Sequence, residues 1–502
     1  MANDRLTGLD ASFLHLEDDR SHMHVASVTT FEGSPPDYEQ LLEAIDNRLH
    51  LVPRYRQRLA FVPLGQGRPR WIDDPHFNLR YHIRMTALPA PGSEDQLRRL
   101  AGRVFSQKLD RDKPLWEIWV AEGLDGGERF AVLSKTHHAL VDGISGVDIM
   151  SVLFDTTPEP SPTPADAGRW LPQPAPSGAQ LLAEALIERA TIPGEIVRGV
   201  RALFRAPRRI AGAALGNLVG IGAMAWTGLR PAPPSPYNGP IGPHRRFAWV
   251  RMELKDVKEI KDSLGGTVND VMLAIVARAL GRHLERHGEL RPDLELRAMV
   301  PVSVRAAEAR GALGNQVAAM FAPLPVGCDD PVVCYEQINA AMGELKKSGQ
   351  AVGAQVLTNL SGFAPPNIMS QAARVVARQR FFNLVVTNVP GPQFPLYLMG
   401  REMDDIFPMV PLARNQGLGV AIMSYNGKIA FGLVSDYDLV PDLDDLAADF
   451  QAALAELADA AGVKLTTRRR RGRPAADAGN GHKPGQRIGT TSTVAGPTDG
   501  ET

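Results

Sequence analysis

The sequence predicts an α/β (α+β) fold that is divided into two lobes. At 502 residues, the chain is longer than a single hydrophobic core usually organises. Helical and strand patterns alternate in both halves of the chain, and two proline-rich stretches, 158–176 and 230–243, interrupt them. Apolar residues make up 44% of the chain, an ordinary share for a globular protein, so disorder is confined to segments.

These breaks divide the chain into four regions. We expect a first lobe at 1–157, a proline-rich, helical and basic connector at 158–245, a second lobe at 246–463 and a disordered basic tail at 464–502. The tail has almost no large apolar residue, so it cannot bury enough surface to fold. Eight basic and three acidic residues give it a net charge of plus five. Anionic lipid is the expected partner of this charge, and a merely solvated tail is the alternative.

Helix and hairpin patterns follow one another in the first lobe. Apolar residues at helical spacing predict helices over Asp37–Leu49 and over Ser93–Leu109, the second behind a Ser-x-x-Gln capping box. Trp116–Gly123 and Arg129–Thr136 flank an Asp-Gly-Gly turn, which predicts a β-hairpin.

The second lobe repeats this alternation. It opens with a strand, FAWVRMEL, and continues through a helix over Thr267–Leu284 with one apolar face. The dipeptide Asn426-Gly427 stands between two alternating runs and predicts a tight hairpin. A helix over Leu443–Ala460 closes the lobe.

Residues 180–229 of the connector are helical in pattern, and 210–229 carry no charge. Three glycines at four-residue spacing would let helices approach closely, so a membrane span has to be weighed. Glycine and alanine give up little free energy on leaving water, and Asn217 lies in the middle of the stretch. A connector packed across both lobes is therefore favoured, ahead of an interfacial helix on anionic lipid and well ahead of a span.

Charge and cysteine content restrict the partners and the compartment. The chain has 55 Lys and Arg against 56 Asp and Glu, which argues against nucleic acid as a partner. Cys328 and Cys334 are too widely spaced for a CxxC site and too few for a disulfide framework, which favours a reducing compartment. The first thirty residues lack the basic start and apolar run of a secretory signal. We therefore expect a cytoplasmic protein.

The segment His137-His138-Ala-Leu-Val-Asp142-Gly143 lies where a predicted strand ends and a predicted helix, Ile144–Phe154, begins. Neighbouring residues on a strand point to opposite faces, so the two histidines cannot easily share a metal ion. One imidazole could face a cleft as a base near neutral pH while the other packs into the lobe. Asp142 and Gly143 then form the turn, and two purely structural histidines are the alternative.

This segment resembles the HHxxxDG signature of the CoA-dependent acyltransferase superfamily. Further blocks narrow the resemblance to the bacterial wax ester synthase/diacylglycerol acyltransferase family. In chain order they read LTGLDASFLHLE, Met-His-Val from 23, Pro-Leu-Trp from 114, Val-Asn-Asp from 268, Pro-Val-Ser-Val-Arg from 301 and Thr-Asn-Val-Pro-Gly-Pro from 387. Together they span residues 6–460, leaving out the tail and much of the connector.

The resemblance implies two chloramphenicol-acetyltransferase-like lobes, each a mixed sheet flanked by helices, with a tunnel between them. It implies that His138 is the general base and that His137 supports it. It further implies that Asp142 points away from the substrate toward an arginine, for which Arg305 is the candidate. Under this reading no acyl-enzyme forms.

Asn269 and Asp270 also make sense without the resemblance. A capping box from Thr267 to Asp270 would place both in the first turn of a helix, near its positive dipole end. Asn269 could donate there to a developing oxyanion, whereas capping alone explains Asp270. Trp116 either lines a substrate channel or belongs to the core. His22 and His24 stand at strand spacing, but no third ligand of matching spacing occurs nearby, so no metal site is expected.

The implied function is transfer of a long-chain acyl group from acyl-CoA, which is a substrate rather than a cofactor, to diacylglycerol or a fatty alcohol. The expected surroundings are the inner membrane face or lipid inclusions, with peripheral attachment. One rival is a condensation-type acyltransferase that uses a carrier-bound thioester and shares HHxxxDG. Another is a non-catalytic lipid-binding protein of the same fold, which a damaged motif would indicate; here the motif is intact.

Overall fold

Two six-stranded β-sheets carry most of the structure. A computed structural model describes residues 5–141, 153–160, 170–187, 231–303, 317–347 and 381–466. Residues up to Leu465 group into one unit and residues from Thr466 into a second.

The elements of the first half, in chain order, are α1 (Gly8–Leu16), β1 (His24–Glu32), α2 (Tyr38–Arg48), β2 (Gln57–Ala60), β3 (Arg70–Asp73), α3 (Leu79–His82), β4 (Ile83–Ala87), α4 (Glu94–Phe105), β5 (Trp116–Leu124) and β6 (Arg129–His137). The remaining elements are α5 (Gly178–Ile187), β7 (Arg245–Glu253), α6 (Leu254–Leu264), α7 (Val268–Arg286), β8 (Leu296–Ser303), β9 (Val317–Leu324), α8 (Pro331–Lys347), β10 (Leu384–Pro390), β11 (Tyr397–Leu398), β12 (Arg401–Met409), β13 (Leu418–Tyr425), β14 (Lys428–Asp436) and α9 (Leu443–Ala461).

Both large sheets are mixed, as the resemblance implied. The first has the strand order β11-β12-β1-β6-β5-β4, and only its β4–β5 pair is parallel. The second has the order β7-β14-β13-β10-β8-β9, with β10 parallel to both of its neighbours. Strands β2 and β3 form a separate small ribbon.

The two sheets do not follow the boundary that we expected at residue 245. Strand β12 comes from the second half of the chain but pairs antiparallel with β1, and β11 extends the same sheet. The region 246–463 therefore does not form a self-contained lobe, because 397–409 complete the first sheet. Proline breaks mark where regular structure stops, but they do not indicate which sheet a later strand joins.

Several local predictions are confirmed. The capping box at the start of α4 is present, with the Ser93 N–H donating to Gln96 Oε1 at 2.7 Å. This helix ends at Phe105 rather than at the expected Leu109, because the Ser106 hydroxyl donates to Gly102 O at 2.7 Å and caps the last turn. The hairpin of β13 and β14 turns at Asn426 and Gly427, both with positive φ, as the two-residue turn requires.

The structure does not describe the uncharged part of the connector, but it does describe the two cysteines. The uncharged stretch 210–229 lies outside the described residues. Among the helices that are described, none by itself is long and apolar enough to span a membrane. Helices α6 and α7 taken together have the length and apolar composition of a span, but they are bent by 99° relative to each other. Cys328 and Cys334 form a disulfide, although the cysteine content led us to expect a reducing compartment.

Strand β14 crosses so close to β12 that only glycine fits at position 432. A Cβ added at Gly432 would lie 1.7 Å from the Pro408 carbonyl oxygen, whereas a Cβ at Gly343 in α8 would meet nothing within 4 Å. We expect Gly432→Ala to lower the free energy of unfolding by about 3 kcal/mol through overpacking. The control Gly343→Ala should raise it by up to about 1 kcal/mol, since alanine favours a helix. Urea unfolding of both variants tests this, and equal midpoints would contradict it.

Candidate active site

Backbone hydrogen bonds from two sides fix the turn that follows β6. The His137 N–H donates to Leu115 O at 2.9 Å, and the His138 N–H donates to Met23 O at 2.8 Å. The acceptors belong to the Pro-Leu-Trp and Met-His-Val blocks, which stand far apart in the sequence. These two blocks therefore meet at the histidine pair.

His137 is completely buried at the end of β6. Its Nδ1 accepts the Ala139 N–H at 3.0 Å, so the ring proton is placed on Nε2, which lies 3.7 Å from Glu17 Oε1. Burial lowers the pKa of His137 to about 3, and the nearby charge of Arg111 acts in the same direction. His137 is therefore a neutral, fixed ring near pH 7, which suits the supporting role expected for it.

Glu17, at the C-cap of α1, connects this ring to the rest of the lobe. Arg111 Nε donates to Glu17 Oε2 at 2.8 Å, and Arg111 Nη2 donates to Leu14 O at 2.9 Å. The Met23 N–H also donates to Glu17 Oε1, at 3.4 Å. Since the Glu17 side chain is only 1% exposed, its charge is compensated by these donors rather than by water.

His138 lies just past the strand and is partly exposed, in contrast to His137. Its ring stacks on Phe13 with 3.9 Å between centroids and an angle of 16° between planes. Nδ1 is buried and has no hydrogen-bond partner in the part of the chain that the structure describes. Burial lowers the pKa of His138, so the imidazole is neutral and able to accept a proton near pH 7.

Asn269 and Asp270 occupy the first turn of α7, as predicted. Asp270 Oδ2 accepts the Thr267 N–H and the Thr267 hydroxyl, each at 2.8 Å, which completes the capping box. Asn388 Nδ2 donates to Asn269 Oδ1 at 3.3 Å. This bond leaves the Asn269 amide nitrogen available as a donor at the positive end of the helix.

Other candidates from the sequence are placed differently. Trp116 is 1% exposed, stacks on His82 with 4.5 Å between centroids and donates its Nε1–H to Tyr55 O at 2.8 Å. It borders a cavity of about 220 Å³ whose other lining residues are mostly charged or polar, so this space does not suit an acyl chain. The contacts make Trp116 part of the core.

Three predicted site residues cannot be compared with the structure. Asp142, Gly143 and Arg305 lie outside the described residues, and so does most of the helix expected at Ile144–Phe154. The expected pairing of Asp142 with Arg305 stays a prediction. The same applies to the tunnel between the lobes, since these segments would border it.

The family models that match the chain cover most of its length. The wax ester synthase/diacylglycerol acyltransferase catalytic domain matches residues 6–272, and the C-terminal domain of the same family matches residues 313–458. The chain belongs to the wax ester synthase/diacylglycerol acyltransferase family. The resemblance drawn from the sequence blocks is confirmed, and the condensation-type rival is less well supported.

Relatives of this acyltransferase family include two Mycobacterium tuberculosis proteins whose names describe them as candidate diacylglycerol O-acyltransferases. One is 36% identical over 469 residues, covering 91% of this chain and 90% of the relative. The other is 33% identical over 482 residues, covering 93% and 98%. Because each match covers at least 90% of this chain and of the relative, the likeness extends over both halves of the chain.

A solved wax ester synthase/diacylglycerol acyltransferase from Marinobacter aquaeolei VT8 is similar in structure. Its TM-score is 0.64 at 27% identity, and the match covers 91% of this chain and 100% of that one. The starter condensation domain of rhizomide synthetase, solved with C8-CoA, has a TM-score of 0.54 at 13% identity over 91% of this chain and 94% of that domain. At that identity the likeness concerns the fold alone.

Four residues in contact with the site were not singled out from the sequence: Phe13, Glu17, Arg111 and Asn388. Phe13 and Glu17 lie within the LTGLDASFLHLE block, and Asn388 lies within the Thr-Asn-Val-Pro-Gly-Pro block. Block similarity indicated that these segments matter for this acyltransferase family. It could not indicate which side chain in each block faces the histidine pair or Asn269.

Glu17 positions the turn that carries His138, so its removal should reduce turnover more than substrate binding. We expect Glu17→Ala to lower kcat roughly 10- to 100-fold with little change in KM, because small misplacements of a reacting group are costly. Glu17→Gln, which keeps an acceptor oxygen, should retain more activity. Steady-state kinetics on both variants, with Glu43→Ala on the exposed face of α2 as a control, test this. A Glu17→Ala enzyme with the wild-type kcat would contradict it.

Proposed function

We propose that this chain is an acyl-CoA-dependent O-acyltransferase that forms triacylglycerol from diacylglycerol and also esterifies long-chain fatty alcohols. The observation that supports this most strongly is the neutral imidazole of His138, a partly exposed residue whose ring stacks on Phe13 at a turn that is fixed from two sides. Family membership supplies the reaction class. The names of the mycobacterial relatives favour diacylglycerol as the acceptor.

The proposed reaction is a direct transfer with His138 as general base. Nε2 of His138 removes the proton from the acceptor hydroxyl as that oxygen forms a bond to the thioester carbonyl carbon. The resulting tetrahedral oxyanion collapses and the carbon–sulfur bond breaks. The departing CoA thiolate then accepts the proton from the imidazolium. The products are an ester and free CoA, and the chain itself is not acylated.

Asn269 is the proposed donor to the oxyanion. Its side-chain oxygen is occupied by Asn388, which orients the amide so that the nitrogen can donate. The N-terminus of α7 adds a partial positive charge where negative charge develops. Asp270 serves this arrangement indirectly, by capping the helix.

The substrates and location that we propose are long-chain acyl-CoA, a membrane or lipid-inclusion surface and the cytoplasmic side. The net positive charge of the tail is suited to anionic lipid. No resident cofactor takes part in the proposed step, because acyl-CoA enters as a substrate. A reducing cytoplasm would hold Cys328 and Cys334 as thiols rather than as the disulfide that the structure contains, so thiol labelling of the protein in intact cells tests the compartment.

Replacing the base tests the proposal directly. We expect His138→Ala to lower the rate of transfer from palmitoyl-CoA to diolein by 10²- to 10⁴-fold, the usual contribution of a general base. The matched control is His76→Ala, because His76 is an exposed histidine in the same half of the chain. Product analysis with labelled palmitoyl-CoA and either diolein or hexadecanol also measures acceptor preference. A His138→Ala enzyme at the wild-type rate would falsify the mechanism.

The pH dependence follows from the lowered pKa of His138. Only the neutral imidazole accepts a proton, and burial keeps the ring neutral to a lower pH than usual. We therefore expect the acidic limb of the kcat/KM profile to have its midpoint below the ordinary histidine value of about 6.5. Rates measured from pH 4 to 8 in constant ionic strength give this midpoint. A midpoint above 6.5 would mean that a different group is being titrated.

A further inference from the structure

Three potential metal ligands meet at the C-terminal end of α7, away from the candidate active site. His283 and His287 are one helical turn apart, and Asp442 is the residue just before α9. Asp442 Oδ2 lies 3.1 Å from His283 Nε2 and 2.9 Å from His287 Nε2. One ligand atom from each residue can be chosen so that all three lie within 4.8 Å of one another.

His283 directs a buried nitrogen into this cluster. The residue is 4% exposed, and its Nε2 faces Asp442 Oδ2 at 3.1 Å, with no other polar partner in the part of the chain that the structure describes. The other ring nitrogen, Nδ1, lies 2.9 Å from the buried Tyr237 hydroxyl. If Nδ1 carries the proton and donates to Tyr237, the Nε2 lone pair faces Asp442 and His287.

We propose that His283, His287 and Asp442 bind a divalent transition-metal ion, with zinc as the best fit. Two imidazoles and one carboxylate with an open fourth position are a common zinc ligand set. Ligand atoms on a tetrahedral zinc ion stand roughly 3.3–3.6 Å apart, since each bond is about 2.0–2.2 Å long. The observed separations of 2.9 and 3.1 Å need only a small outward shift of Asp442 to admit the ion.

The surroundings support a cation at this position. Tyr237 would act as the outer partner that orients a metal-bound histidine, an arrangement that recurs in metal sites. The neighbouring Arg286 is paired through both terminal nitrogens with Asp449, at 2.7 Å each, so its positive charge is already compensated. Mg²⁺ is disfavoured because it prefers oxygen ligands.

This site is separate from the proposed transfer reaction and goes beyond it. His283 is fourteen residues along α7 from Asn269, which corresponds to roughly 21 Å at 1.5 Å per residue. A metal there would tie the C-terminal end of α7 to the residue just before α9. Its role is therefore to stabilise the packing of these two helices, and acyl transfer is measured only as a control.

The test uses the full-length protein, stripped of metal with a chelator and dialysed. Zn²⁺ is titrated in competition with a chromophoric zinc chelator, and thermal unfolding is followed with Zn²⁺ or Mg²⁺ added. We expect one tight zinc ion per chain and a higher Tm with Zn²⁺ but not with Mg²⁺, because a ligand that binds the folded state stabilises it. Co²⁺ should give the visible absorption of a tetrahedral complex.

Three variants distinguish the site from other zinc-binding groups. His287→Asn and Asp442→Asn should each weaken zinc binding at least tenfold, and Tyr237→Phe should weaken it about tenfold through loss of the outer hydrogen bond. The exposed control His76→Asn should bind as the wild type does. His287→Asn should keep the wild-type rate of acyl transfer.

Two results would overturn the metal site. The first is wild-type protein that binds zinc no more tightly than His287→Asn, without a zinc-dependent rise in Tm. The second is a wild-type Co²⁺ spectrum without tetrahedral bands, a measurement that does not depend on any variant folding. Either result would leave the three residues as a hydrogen-bonded cluster only.

Discussion

The antiparallel pairing of β12 with β1 is the constraint on which the rest of the structure depends. It brings residues 401–409, with the short strand β11 beside them, into a sheet whose other strands come from the first 137 residues. Side chains on either side of this crossing hold the two sheets together. Trp249 of β7 stacks on Phe407 of β12 with 4.5 Å between centroids and an angle of 11° between planes.

A charged network reinforces the same crossing. Arg251 of β7 donates to Asp405 at 2.7 Å and to Glu94 of α4 at 2.6 and 2.9 Å, so one guanidinium joins three elements. Burial lowers the pKa of Arg251, but the two carboxylates outweigh this and hold the pKa above its ordinary value. Removing either carboxylate would leave a half-buried charge partly uncompensated, which is more costly than losing a surface ion pair. The position of β12 is therefore fixed by packing and by charge together.

The first sheet connects this crossing to the histidine pair. Strand β1 lies between β12 and β6, with His24 directly opposite His137. Behind β6, the buried Lys135 donates to Val104 O and Gln107 O, which anchors the end of α4 against the strand. His138 can thus be held at the edge of the lobe by backbone and buried contacts, while the residue itself stays partly exposed.

Helix α7 has different chemistry at its two ends. Its N-terminus, capped by Thr267 and Asp270, presents Asn269 where a negative charge would be stabilised. Its C-terminus carries His283 and His287 beside Asp442. The middle of the helix is almost entirely buried, which makes it a rigid spacer between the two ends.

The sequence by itself determined the features that depend on neighbouring residues. The capping boxes at Ser93 and Thr267, the Asn426-Gly427 hairpin and the family signature around His138 could all be read locally, because their geometry is set within a few residues. Only the tertiary structure decided which segments meet. The crossing of β12, the stacking of Phe13 on His138, the bond from Asn388 to Asn269 and the approach of Asp442 to His283 join residues 119 to 383 positions apart. Such contacts arise from how sheets and helices assemble, and no spacing along the chain encodes them.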